Sequence, residues 1–164
     1  MTTDTALIPL TQGHSAIVDA DDYERLSQWK WCTMTSRGGP RAKRAYRDEN
    51  GKQQTMLMHR FIMGAIGADV VDHINHDTLD NRKANLRVCS RLENQRNSTS
   101  RKKSTSKYLG VDWVRRDQKW RARIQTDNGA LHIGVFATEF EDARAYDVKA
   151  AEHFGEFANL NIKD

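Results

Sequence analysis

The sequence predicts an α+β protein, and three observations lead there. Short β-branched runs broken by Gly, Pro and Asn fill the first third of the chain. A strand, a long polar loop, a returning strand and a helix start follow between residues 70 and 97. From residue 106 onward, alternating strands around an Asn-Gly turn precede one amphipathic helix, which predicts a three-stranded antiparallel sheet packed on that helix. The expected organisation is therefore a strand-rich segment over residues 1–50, a core over 51–97, a basic polar linker over 98–105 and a sheet-and-helix domain over 106–164.

Composition narrows the class. A chain of 164 residues suits one ordinary domain or two small ones. No run approaches the roughly 18 uncharged apolar residues that a spanning helix needs. Residues 1–10 lack the basic start and long apolar stretch of a secretory signal. Cys32 and Cys89 are far apart, which argues against a zinc knuckle or a disulfide framework and for a reducing compartment, so the expected location is the cytoplasm of a host cell. The net charge of +4 conceals an asymmetry: residues 82–123 hold 14 Lys/Arg against 3 Asp/Glu, and the remainder is net acidic. Such a band reads as a polyanion footprint or as a solvated surface, and its contents decide between them.

The N-terminal elements follow from turn chemistry. Residues 6–10 and 15–19 flank Thr11-Gln12-Gly13-His14, a hairpin turn, and an acidic start favours a short helix over 21–28. Strands over 29–35 and 41–47 flank Gly38-Gly39-Pro40, and Asn50-Gly51 marks a further tight turn. This part reads as a structural or DNA-flanking platform, with Arg41, Lys43, Arg44 and Arg47 offering charge to phosphate.

The centre carries the chemistry. Residues 70–74 form a β-branched strand ending near Asp72 and His73. An Asp/Asn-rich loop occupies 75–85, and residues 86–89 return as a strand. Ser90-Arg91-Leu92-Glu93 fits a capping box that places Asn94 in the first helical turn. Asp72, His73 and Asn94 are then able to converge. A neutral His takes a proton from water near neutral pH. A carboxylate and an amide oxygen are hard ligands suited to Mg²⁺, which also binds substrate phosphate. One base and one two-ligand cation site make a minimal nuclease.

These residues resemble the HNH endonuclease motif on a ββα-metal scaffold, in the variant found in phage and intron-borne homing endonucleases. The resemblance rests on Asp72-His73, on the loop Asp80-Asn81-Arg82-Lys83-Ala84-Asn85-Leu86-Arg87 and on Asn94. It implies His73 as general base and Asp72 and Asn94 as ligands of one divalent cation, Mg²⁺ first and Mn²⁺ as the alternative. Asn85 becomes the middle Asn of the catalytic motif that ties the loop together. Many relatives carry His where Asn94 stands, and Asn97 is the fallback ligand. His59 in Met58-His59-Arg60 resembles an upstream element with a packing or phosphate-contact role. Arg82, Arg87 and the linker residues Arg101, Lys102 and Lys103 are expected to track the DNA backbone.

In the last third, Trp120, Ala122 and Ile124 alternate with Arg121, Arg123 and Gln125, and Leu131, Ile133 and Val135 alternate with His132 and Gly134. Residues 138–141 fit a second capping box, Phe140, Ala143, Ala150 and Phe154 recur at helical spacing, and Gly155 ends the helix. One sheet face then packs on the helix, and the other displays Arg121, Arg123, Gln125 and His132 to a major groove, where Arg pairs with guanine and Gln with adenine. The module resembles the Apetala-type or ethylene-response-factor (ERF) DNA-binding domain. The matching stretches are Ser106-Lys107-Tyr108-Leu109-Gly110-Val111, Lys119-Trp120-Arg121-Ala122, His132-Ile133-Gly134-Val135-Phe136 and Ala143-Arg144-Ala145-Tyr146-Asp147.

The sequence therefore points to metal-dependent cleavage of double-stranded DNA, with the C-terminal sheet supplying the address. A monomer would nick and a homodimer would break both strands. A DNA-binding regulator with an inactive core is the alternative. RNA binding is disfavoured because stacking aromatics are sparse on the polar sheet face.

Overall fold

Residues 4–36, 38–97, 104–126 and 128–162 are described by a computed structural model. The chain divides into two compact units, Met1–Arg91 and Leu92–Asp164.

In the first unit, alternation in Thr5–Pro9 (β1) and Ser15–Asp19 (β2) buries Ile8, Ala16 and Val18 on one side of an antiparallel hairpin. Between them a 3₁₀ turn, Thr11–Gly13, meets the next sheet through Thr11: its hydroxyl accepts from the Thr33 amide and its carbonyl from the Thr33 hydroxyl. Ala20–Ser27 (α1) carries Asp21 and Asp22 in its first turn and Arg25 in its last, charges that complement the helix dipole. Its Leu26 is buried, and the Leu26 carbonyl accepts from the Trp31 indole at 2.9 Å.

Cys32–Ser36 (β3), Gly39–Arg47 (β4) and Gln53–Leu57 (β5) form a three-stranded antiparallel sheet in that order. Asp48 closes the β4–β5 turn by accepting from the amides of Asn50 and Lys52 and from the Gln54 side chain. Neither β5 nor the short helix Met58–Ile62 (α2) was marked by the sequence, because mixed polar and apolar residues blur both periods. The expected segment boundary falls at residue 50. That position lies in the β4–β5 turn, and one core joins Ile8, Val18, Leu26 and Trp31 to Met58, Ile62, Val71 and Leu86.

Val70–His73 (β6) and Leu86–Cys89 (β7) pair antiparallel, with Asp72 opposite Arg87 and His73 opposite Leu86. The loop between them is locked at two places. The Ile17 amide donates to Leu79 O at 2.8 Å and the Asn81 amide donates to Ile17 O at 2.7 Å, a parallel bridge to β2. On the other side the Thr78 hydroxyl donates to Pro40 O of β4 at 2.6 Å.

Arg91–Arg96 (α3) follows β7 in the chain, and from Leu92 it belongs to the second unit. There Val111–Val114 (β8), Lys119–Thr126 (β9) and Gly129–Phe136 (β10) form an antiparallel sheet ordered β10-β9-β8. Glu139–Phe154 (α4), opened by the Thr138–Glu141 capping box, covers one face. The buried stripe is Ala143, Tyr146, Ala150 and Phe154. Phe140, expected in that stripe, is half exposed, because steps of three and four residues centre the stripe away from it. The alternation of β10 is also corrected. A bulge between His132 and Gly134 shifts the register, so Val135 stands opposite Arg121 rather than beside Leu131, while Ile133 packs toward the helix core.

Two positions in this unit carry predictions. Gly110 has φ +73°, and a Cβ there would lie 2.2 Å from the Tyr146 ring and 2.6 Å from Arg123 O. Gly110→Ala is expected to destabilise this unit by about 2–4 kcal/mol, read as a lowered thermal midpoint. Asp142 is fully buried under β9 and β10, and burial pushes its carboxyl up to about 6 against the pull of the Phe136 and Ala122 amides. A raised folded-state value means that stability is highest below the ordinary value of 3.8 and is lost as pH rises toward 6. Asp142→Asn is expected to abolish that loss, up to about 3 kcal/mol, in urea unfolding compared at pH 4.5 and 7.5.

Candidate active site

β6 sets the centre. Asp72 and His73 occupy its last two positions, and both side chains are buried. Opposite Asp72, the Arg87 guanidinium donates to Asp72 Oδ2 from Nη2 at 3.0 Å and from Nε at 3.3 Å, with both side chains about one-tenth exposed. Arg87, expected on the DNA backbone, orients this carboxylate.

Arg82 behaves in the same way. Its Nε and Nη2 donate to the two oxygens of buried Asp80 at 2.7 and 2.6 Å, and that pairing holds the Asp80 carboxyl below the usual carboxylate range. The Asn75 amide adds a bond to Asp80 Oδ2 at 2.9 Å. Asn85 closes the loop at both ends, accepting from the Asn75 amide at 3.0 Å and donating to Asp80 O at 2.8 Å. Its side chain is therefore used on the loop backbone.

His59 and Asn81, given no catalytic role from the sequence, lie against His73. His59 of α2 is buried, and its ring meets that of His73 edge to face, with centroids 4.9 Å apart and planes at 74°. Burial, then the positive fields of His73, Arg41 and Arg60, push His59 down to about 3. Burial also holds His73 below the ordinary imidazole value, with Arg41 adding to the effect, while Asn81, Asp72 and Asp77 oppose it. His73 is accordingly a neutral imidazole at physiological pH. Asn81 is 1% exposed. Its Nδ2 donates to Leu79 O, and its Oδ1 has no hydrogen-bond partner among the described residues, so it is available to a protonated His73. The sequence showed His59 only as part of a Met-His-Arg triplet, and no local pattern announces its contact with a residue 14 positions on.

Asn94 stands exposed on α3 and Asn97 is buried after it, both in the second unit. Among the described residues no three His, Cys, Asp or Glu form a metal-holding group. Arg101, Lys102 and Lys103 lie outside the described residues. In the C-terminal sheet, Arg121, Arg123, Gln125 and His132 share the face away from α4, with His132 paired to Arg123. Asp112 bridges the two arginines, 2.6 Å from Arg121 Nη2 and 3.1 Å from Arg123 Nε.

A family model described as HNH endonuclease matches residues 61–96, the stretch that contains β6, the locked loop and β7. Over 160 residues the chain is 34% identical to an HNH endonuclease of Acanthamoeba polyphaga mimivirus, covering 93% of this chain and 78% of the viral protein. The chain belongs to the HNH endonuclease family. Two AP2-like ethylene-responsive transcription factors of Arabidopsis thaliana also match. One is 34% identical over 95 residues, 57% of this chain and 18% of the plant protein, and the other 38% over 70 residues, 42% and 20%. No solved structure matches the chain. The HNH endonuclease acts on DNA, and enzymes of this family generally use a divalent metal ion. Asp72 offers such an ion the hard oxygen it favours, on a carboxylate whose direction Arg87 sets. No described helix is long and apolar enough to cross a membrane.

The buried histidines give a stability prediction. A base whose folded-state value is depressed binds its proton mainly in the unfolded chain, so its stabilisation is present above the unfolded value of 6.5 and lost as pH falls toward 3. The first unit is expected to weaken steeply between pH 6.5 and 4. His59→Gln should reduce that slope by up to about 1.4 kcal/mol per pH unit, measured by urea unfolding across this range.

Proposed function

We propose that this HNH endonuclease is a homing-type enzyme that hydrolyses phosphodiesters of double-stranded DNA in a metal-dependent reaction, with His73 as general base. The observation that carries the proposal is a neutral, buried imidazole adjacent on β6 to an Arg-oriented carboxylate. His73 takes a proton from water as the water oxygen bonds to phosphorus and the P–O3′ bond breaks. The Asn81 amide oxygen receives the resulting imidazolium N–H, so the charge is held without leaving an unpaired buried donor. Asp72 would hold the divalent cation, Mg²⁺ or Mn²⁺. When bound, the cation supplies Lewis-acid polarisation of the phosphate and charge for the departing oxygen.

The C-terminal sheet is proposed to supply sequence reading. Its support is the face of Arg121, Arg123, Gln125 and His132, together with the two plant transcription factors that match part of the chain. Arg82 and Arg87 act through the loop and the carboxylate rather than as backbone clamps, leaving phosphate tracking to the basic residues around 101–103. One catalytic unit per chain means nicking by a monomer and double-strand breaks by a homodimer.

Plasmid relaxation with Mg²⁺, Mn²⁺ or EDTA tests the reading. Wild-type protein is expected to convert supercoiled DNA only with a divalent cation. His73→Ala should lose about 10²- to 10⁴-fold in rate while retaining DNA affinity. Cleavage by His73→Ala at the wild-type rate would remove His73 from the mechanism, and DNA binding without any cation-dependent cutting would indicate a regulator.

A further inference from the structure

The arginines around the nuclease loop are mostly committed. Arg82 is held by Asp80 and Arg87 by Asp72. Arg44 lies in an aromatic nest, its guanidinium 4.1 Å from the Trp29 ring centroid, 5.5 Å from that of Tyr46 and 5.6 Å from that of Phe61. Arg41 differs. It has no ion-pair partner among the described residues, and its Nε, like that of Arg44, is buried without a hydrogen-bond acceptor. A buried N–H left unpaired is unfavourable, and an anion brought by a ligand would relieve it.

Its position shows which anion. Arg41 precedes Ala42, which points into the core, so pleating turns Arg41 to the opposite face of β4. The residue before it, Pro40, is the one whose carbonyl anchors Thr78 of the loop at 2.6 Å, so this part of β4 is tied to the loop that leads from His73. The guanidinium lies near enough to buried His59 for its charge to disfavour protonation of that ring, and the His59 ring meets that of His73 edge to face at 4.9 Å. An uncompensated cation thus stands beside the base that receives the proton.

We propose that Arg41 is a catalytic residue: its guanidinium binds the scissile phosphate and stabilises the charge that builds on the non-bridging oxygens as water attacks. The inference rests on His73 being the general base. It adds a strand-borne residue 20 positions ahead of the stretch that the family model matches. The guanidinium forms no covalent bond. It donates hydrogen bonds to phosphate oxygens that gain charge at the transition state, and the same contact holds the phosphorus in line with the attacking water.

Relaxation of supercoiled plasmid with Mg²⁺ by the full chain, paired with plasmid binding in EDTA, tests the proposal. Arg41→Met is expected to lower kcat about 10²- to 10³-fold, with KM and DNA affinity changed less than about threefold. Millimolar guanidinium is expected to restore part of the rate of Arg41→Ala, and Arg41→Lys to retain an intermediate rate. A structural role would not give guanidinium rescue, so that arm decides the matter even if Arg41→Met proves less stable. Unchanged kcat in Arg41→Met, or loss confined to DNA affinity, would overturn the assignment. His73→Ala measured alongside separates the two claims: if it cuts normally, the general-base reading fails on its own evidence, whatever Arg41 does.

Discussion

Two backbone hydrogen bonds at Ile17 hold the nuclease centre in shape. The loop from Ile74 to Asn85 is long and polar and cannot make a core of its own. It is instead added as a short parallel partner to β2, through Ile17 to Leu79 and Asn81 to Ile17. That attachment buries Asn81 and Asp80 beside apolar β2, and every later feature depends on it. Asp80 must then be neutralised, which Arg82 and Asn75 accomplish. Asn81 must face inward, which brings its amide oxygen to His73. A loop held only by its two strand ends would leave these polar groups in water and His73 without a defined environment.

Burial also determines the protonation state of the two histidines. Two imidazoles packed edge to face with an arginine nearby cannot both carry charge at low cost, so His59 stays neutral and His73 is kept available as a proton acceptor. Asn81, Asp72 and Asp77 oppose the lowering at His73. The general-base role proposed for His73 needs this balance: free of its proton before attack and able to hold one after it. Asp72 is placed for a different task, because Arg87 sets the direction of its carboxylate and cancels part of its charge.

The second unit shows how one extra residue changes a surface. The bulge near Ile133 places Val135 among the polar groups and keeps His132 beside Arg123. Asp112, across from Arg121, holds two guanidinium groups on one face, so the sheet presents an ordered arrangement rather than four independent side chains. Behind the sheet, Asp147 and Asn161 bind the chain end to the Leu109 backbone, which fixes the approach to β8 and the tight contact of Gly110 with Tyr146.

Local chemistry was sufficient for much of this. Turn chemistry placed β1 and β2, a β-branched run and its return placed β6 and β7, and alternation placed β9. Acidic starts and Thr138–Glu141 placed α1 and α4, and the order of Asp72, His73, Asn85 and Asn94 carried the family resemblance. Those features depend on neighbours within a few residues, so they can be read along the chain. The partners of Arg82 and Arg87, the His59–His73 contact, the isolation of Arg41 and the union of residues 1–50 with the nuclease core could not be read this way. Each depends on side chains brought together from distant positions, where burial removes water and makes one pairing far more favourable than the alternatives. Residue order along the chain determined which chemical groups were present, and tertiary packing decided which of them are already paired and which remain available for a substrate.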